Sequence, residues 1–83
     1  MKKSPAVIYV YKKIRTTKRS ALLEQLEEVP LTERDFSFVC DIIAGLSITE
    51  LSEKFGRTPS RISQWKREVC EKIRDFDMAN FTR

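Results

Sequence analysis

The stretch from Ser47 to Phe76 leaves this chain the least freedom. Ser47-Ile48-Thr49-Glu50 is a capping box, in which the hydroxyl and the carboxylate satisfy each other's orphan amides and start a helix. Ile48, Leu51 and Phe55 then point inward, and Gly56 stops the helix with a turn that costs glycine little. Ser52 lies four residues before Gly56, where a small side chain lets two helices approach closely. Thr58 can cap a second helix. Pro59 takes its first position, where a missing amide does no harm.

The second helix is expected over about residues 59–77. At 100° per residue, Ile62, Trp65, Val69, Ile73 and Phe76 form one stripe roughly 80° wide. Trp65 sits on that stripe and is read as core. Ser60, Ser63, Gln64 and Arg67 fall on the opposite side, and Arg61 and Lys66 flank the stripe. Helix, glycine turn and a second helix with a polar, cationic free face together describe a helix-turn-helix that presents a recognition helix to DNA.

A recognition helix enters the major groove with its N-terminal half, and its readers must be polar and not needed in the core. Gln64 suits adenine, and Arg61 or Arg67 suits guanine. Ser60 and Ser63 suit base edges or phosphates. Lys54, Arg57, Thr58 and Lys66 are better placed for phosphates, which fix register without reading sequence. Residues 57–67 hold four cations and no acid. The competing reading of Arg61 and Gln64 is a solvated helix face.

Upstream, Ser20 is read as the cap of a short helix that buries Leu22, Leu23 and Leu26 and ends at Val29-Pro30. Glu24, Glu27 and Glu28 lie on its other side, either solvated or an acidic contact surface. Thr32-Glu33-Arg34-Asp35 resembles a capping box. Phe36, Val39, Cys40 and Ile43 follow at helical spacing as a buried stripe, and Gly45 is placed to end that helix. Residues 1–19 are the hardest to read. Ala6-Val7-Ile8-Tyr9-Val10-Tyr11 favours a strand but has no second strand to pair with. A basic N-terminal arm that tracks phosphates, a continued helix and a frayed terminus all remain open there. Residues 78–83 are expected to fray.

Charge is segregated along the chain. Residues 1–20 carry seven cations and no acid, 21–56 eight acids and two cations, and 57–83 seven cations and four acids. The sum is +4, and two basic zones around an acidic middle suit a polyanion. The chain has no His, and its two cysteines, Cys40 and Cys70, form no CxxC pair and read as core side chains. No metal or cofactor site is therefore expected. Without paired acids in a plausible cleft or a phosphate loop, an enzyme is not expected either. At 83 residues there is room for one domain. No segment approaches the ~20 apolar residues of a membrane span.

Leu31-Thr32-Glu33-Arg34-Asp35, Gly45, the run Ile48 to Trp65, and the trailing Glu68 with Lys72-Ile73-Arg74 resemble region 4 of bacterial sigma factors. The likeness covers roughly residues 31–75. It is most specific at Ser60-Arg61-Ile62 with Gln64 and at Lys72-Ile73-Arg74. It implies a domain that reads the −35 promoter element and docks on RNA polymerase, with Arg61 and Gln64 on the positions that contact DNA. Pro59, Ser60 and Ser63 depart from the charged residues usual there, so the resemblance speaks more for DNA binding than for an ordinary −35 sequence. A region 2 is missing, so promoter melting is not implied. Small phage regulators and single-domain sigma-like proteins share the motif.

The expectation is therefore an all-α domain of about four helices, with a helix-turn-helix core at 47–76 inside a domain spanning 20–77. Its expected role is a DNA-binding transcription regulator in the cytoplasm, at the nucleoid, or in the host cytoplasm if phage-encoded. Double-stranded DNA is the first partner and RNA polymerase the second. A homodimer would let one short helix read two half-sites. Two alternatives use the same fold: a polymerase-binding sigma mimic or appropriator, and an adaptor in phage DNA packaging or recombination.

Overall fold

A computed structural model describes residues 4–81. The chain is all-helical over this range. Its elements are α1 (Pro5–Thr16), α2 (Arg19–Glu28), α3 (Glu33–Ile43), α4 (Ile48–Phe55) and α5 (Pro59–Phe81). The small all-α domain is as expected, with five helices in place of about four. One core joins all five, and its fully buried side chains include Phe38, Leu51, Ile62, Val69, Cys70 and Ile73.

The helix ends follow local chemistry. Thr32 Oγ accepts the Asp35 amide at 3.1 Å and starts α3. At the other end, Gly45 (φ 95°) lets the Gly45 amide reach the Ile42 carbonyl and the Leu46 amide reach Asp41. This pairing is a Schellman motif. The expected box at Ser47 and Glu50 is present in both directions, at 3.2 and 2.9 Å. Its hydrogen bonds hold the Glu50 carboxyl below the usual carboxylate range.

Three expectations need correction. The basic arm over residues 1–19 gives way to the other reading left open there, a helix, which runs as α1 from Pro5, with residues 1–3 outside the described range. Its β-branched residues prefer strand, yet Ala6 and Val10 lie one helical turn apart and are buried against the core. Tertiary burial overrides a propensity of a few tenths of a kcal/mol. Second, Ser20 does not cap α2, which already begins at Arg19. Third, the helix expected to end near 77 continues to Phe81, so the tail expected to fray is helical as far as it is described.

The stripe on α3 is also displaced. Val39 and Ile43 are buried as expected and are joined by Phe38 and Ile42, while Phe36 and Cys40 are only half-buried. The stripe turns toward α5 because Phe38 stacks on Trp65 there, with ring centroids 4.0 Å apart.

Two carboxylates hold α5 in place. Asp35 on α3 accepts the Trp65 indole N–H at 2.8 Å and pairs with Lys72 at 3.2 Å. Asp77 on α5 accepts the Tyr9 hydroxyl at 2.8 Å and is also paired with Lys13, so α1 is clasped to the C-terminal part of α5. Both acids are buried, and both are paired, as a buried charge must be.

Candidate nucleic-acid interface

The turn between α4 and α5 sets the attitude of the exposed face. Gly56 is left-handed (φ 64°, ψ 37°), which ends α4 and reverses the chain. The Arg57 amide donates to the Ser52 carbonyl at 3.1 Å. The Ser52 hydroxyl donates to the Arg57 carbonyl. Ser52 therefore holds the backbone of Arg57 at both its N–H and its C=O, a second task beyond letting the helices approach. Thr58 Oγ accepts the Arg61 amide at 3.3 Å and caps α5, with Pro59 in the first position.

Behind this turn lies an aromatic block. Trp65 stacks on Phe38 and meets Phe55 edge-on at 5.0 Å, and Phe38 meets Phe55 edge-on at 5.6 Å. Such pairs contribute ~0.5–1.5 kcal/mol each beyond their burial. Trp65 is therefore a core anchor, as the stripe implied, and its N–H is committed to Asp35. Burial pushes the Asp35 carboxyl up, but hydrogen bonds from Trp65 and Lys72 and the Lys72 charge outweigh this, so it titrates below its ordinary value.

With the inner side occupied, the outer side of α5 is free. Ser60, Arg61, Ser63, Gln64 and Arg67 are all exposed, as are Arg57 and Thr58. These are the five residues expected to meet bases and two of the four expected to meet phosphates. The other two are engaged within the chain. Lys54 pairs with Asp41 at 2.7 Å. Lys66 lies over the Tyr11 ring, 4.5 Å from its centroid, and is drawn toward α1.

Sequence reasoning missed one cation. Arg34, in the first turn of α3, lines a cleft of about 240 Å³ with Arg57, Arg61, Gln64, Trp65 and Glu68. Three guanidinium groups from three parts of the chain thus surround one opening. Arg34 was legible only as part of a cap. The signal lay in its neighbour, because an Asp35 that reaches Trp65 must bring Arg34 alongside α5. Glu68 is the first acid on α5, and it accepts a 3.4 Å hydrogen bond from the Gln64 side-chain amide. Gln64 is thereby steered, although a long, exposed bond of this kind is readily exchanged for a better partner.

The face is thus rigid behind and polar in front. The first-turn amides of α5 add a partial positive charge beside Arg57 and Arg61, which favours an anion there. Among the described residues no group of His, Cys, Asp and Glu could hold a metal ion. No helix of the described residues is long and apolar enough to cross a membrane. Cys70 is a buried core residue, its thiol pushed up to about 11 chiefly by burial. Cys40 is half-buried and also raised, by burial and by the Asp41 charge. Neither thiol is primed as a nucleophile. No family model, curated protein or solved structure is similar enough to the chain to count as a match.

Proposed function

We propose that this chain is a sequence-specific DNA-binding protein that regulates transcription and enters the major groove with the first turns of α5. The observation that supports this most directly is the free outer face of that helix. Ser60, Arg61, Ser63, Gln64 and Arg67 are exposed together on an anchored scaffold. In this reading Arg61, Gln64 and Arg67 read base edges and Ser60 and Ser63 assist. Arg57, Thr58 and Arg34 hold phosphates at the helix entrance, where the dipole assists them. The Thr58 oxygen is used by the cap, yet its O–H is still available to donate outward. Lys54 and Lys66 play a smaller part, since each must first leave its partner within the chain.

The test is selection of bound sequences from a random pool of duplex DNA, with and without RNA polymerase. An enriched motif is expected. Replacing Arg61 and Gln64 together by Ala should erase it while circular dichroism stays that of the parent, each lost base contact being worth ~1–3 kcal/mol of discrimination. A flat result in both arms overturns the reading. Co-purification with polymerase without DNA affinity would move the function to the polymerase surface. Binding confined to a packaging or attachment site would move it to a phage DNA adaptor.

A further inference from the structure

The ion pairs inside the chain leave two opposite sets of charge unused. On α1, the short connection after it and the first residue of α2, Lys12, Arg15, Lys18 and Arg19 are exposed, and none forms an ion pair among the described residues. On α2 and the first turn of α3, Glu24, Glu27, Glu28 and Glu33 are likewise exposed and unpaired. Neither set belongs to the outer face of α5.

Each set is paired with apolar surface. Ile8, Lys12 and Arg15 follow one another at helical spacing along the outer side of α1. Ile8 is 52% exposed, one of two large apolar side chains left outside among the described residues. Between α2 and α3 runs a groove of about 360 Å³ whose walls include Leu31 and Phe36, with Glu27 and Glu33 at its rim. An apolar knob with cations beside it thus has a counterpart elsewhere on the same chain: an apolar groove rimmed with carboxylates.

We propose that the α2–α3 groove is a docking site for α1 of a second copy of this chain. Ile8 enters between Leu31 and Phe36, and Lys12 and Arg15 face Glu27 and Glu33. The contact joins two different patches, so like charges never meet across it, as they would if α1 met α1. It also leaves Arg57 to Arg67 uncovered and does not depend on what that face binds. The surfaces are small, so the association is weak and salt-sensitive.

The experiment is sedimentation equilibrium of the full chain without DNA, at low and high salt. Average mass should rise with concentration at low salt and fall toward one chain at high salt. Two variants carry reversed charges at exposed positions: Lys12→Glu with Arg15→Glu, and Glu27→Lys with Glu33→Lys. Each alone should weaken association by more than about tenfold, since like charges across an interface are strongly disfavoured. An equimolar mixture of the two should associate again, as should the chain carrying all four changes. Circular dichroism checks that each variant keeps its helices. A wild-type chain that stays single at every concentration overturns the proposal. So does association that neither variant weakens, or variants whose mixture stays apart.

Discussion

The two halves of α5 are built from the same helix and used in opposite ways. From Pro59 to Glu68, only Ile62, Trp65 and Lys66 are drawn toward the body, and the rest of the surface faces outward. From Val69 to Asp77, Val69, Cys70, Ile73 and Asp77 are buried, and α1 covers a second side. The first half is held on one side by an aromatic block and a buried acid. The second half is embraced from two sides and acts as the spine of the fold. Charge follows nearly the same division: on α5 no acid precedes Glu68, at the end of the first half, and Glu71, Asp75 and Asp77 all lie in the second. Under the proposed function, binding and folding are separated by dividing one helix.

Removing the anchor of the first half should have the largest effect. Trp65→Ala deletes the ring that meets both Phe38 and Phe55 and leaves Asp35 without its indole partner. A loss of about 3–5 kcal/mol is expected, a large share of a small domain's total. Urea unfolding followed by circular dichroism measures it. A loss under about 1 kcal/mol would mean that the first half is not anchored through Trp65.

The clasp on the second half is the next comparison. Asp77→Ala removes the acceptor shared by Tyr9 and Lys13, and a cost of about 1–3 kcal/mol is expected for the groups left unpaired. Burial, the Asp77 hydrogen bond and the Asp77 charge together push the Tyr9 hydroxyl up to about 12. A raised value of this kind stabilises fully below the ordinary tyrosine range and is lost as pH climbs toward the folded value. The parent should therefore lose stability above about pH 10, and Asp77→Ala should flatten that slope. Trp65 fluorescence before unfolding should stay unchanged in this variant. If it shifts, the two halves are coupled and the division is wrong.

Acid tests the first half by itself. The Asp35 carboxyl titrates below its ordinary value, so its contribution is complete above the ordinary aspartate range and is lost as pH falls through the folded value. Stability should therefore decline below about pH 4. Trp65 is the chain's single tryptophan, so its emission should change as its hydrogen bond to Asp35 is lost. Asp35→Asn should start less stable and show a shallower decline. An identical slope in the variant would assign acid sensitivity to other carboxylates.

Much of the first half could be read from sequence because its signals are local. The Ser47 and Thr58 caps, the Gly56 turn and the Ile62–Trp65 start of the stripe each depend on residues a few positions apart. The second half depends on partners far away. Tyr9 and Asp77 are 68 residues apart, and no local period links them. The β-branched and aromatic run Val7 to Val10 therefore favours a strand on local preference alone, since its helical packing needs α5 to be present. The same limit hid Phe38 and Arg34. The spacing of Phe36, Val39, Cys40 and Ile43 satisfied a helix period, but the partner ring at Trp65 turns the stripe toward Phe38 and carries Arg34 to the cleft. The five candidate base readers were legible because exposure outside a core stripe follows from geometry. The internal engagement of Lys54 and Lys66 does not, since it needs Asp41 and Tyr11 in three dimensions.

The smallest expected change in stability tests the division from the binding side. Arg34→Ala, Arg57→Ala and Arg61→Ala each remove an exposed guanidinium that forms no ion pair among the described residues. Each should change stability by no more than about 0.5 kcal/mol. On DNA they should differ from one another. Loss of a phosphate contact lowers affinity for all sequences and reduces the slope of log affinity against log salt by about one, whereas loss of a base contact relaxes preference at one position. Arg34 and Arg57 should behave in the first way and Arg61 in the second. Titration of labelled duplexes over a salt series separates the two. If Arg34→Ala leaves the slope untouched while Arg57→Ala reduces it, the cleft is not shared and the interface is confined to α5 and its turn. If all three leave both affinity and slope unchanged, the outer face of α5 is solvated surface and the first half of the helix has no nucleic-acid role.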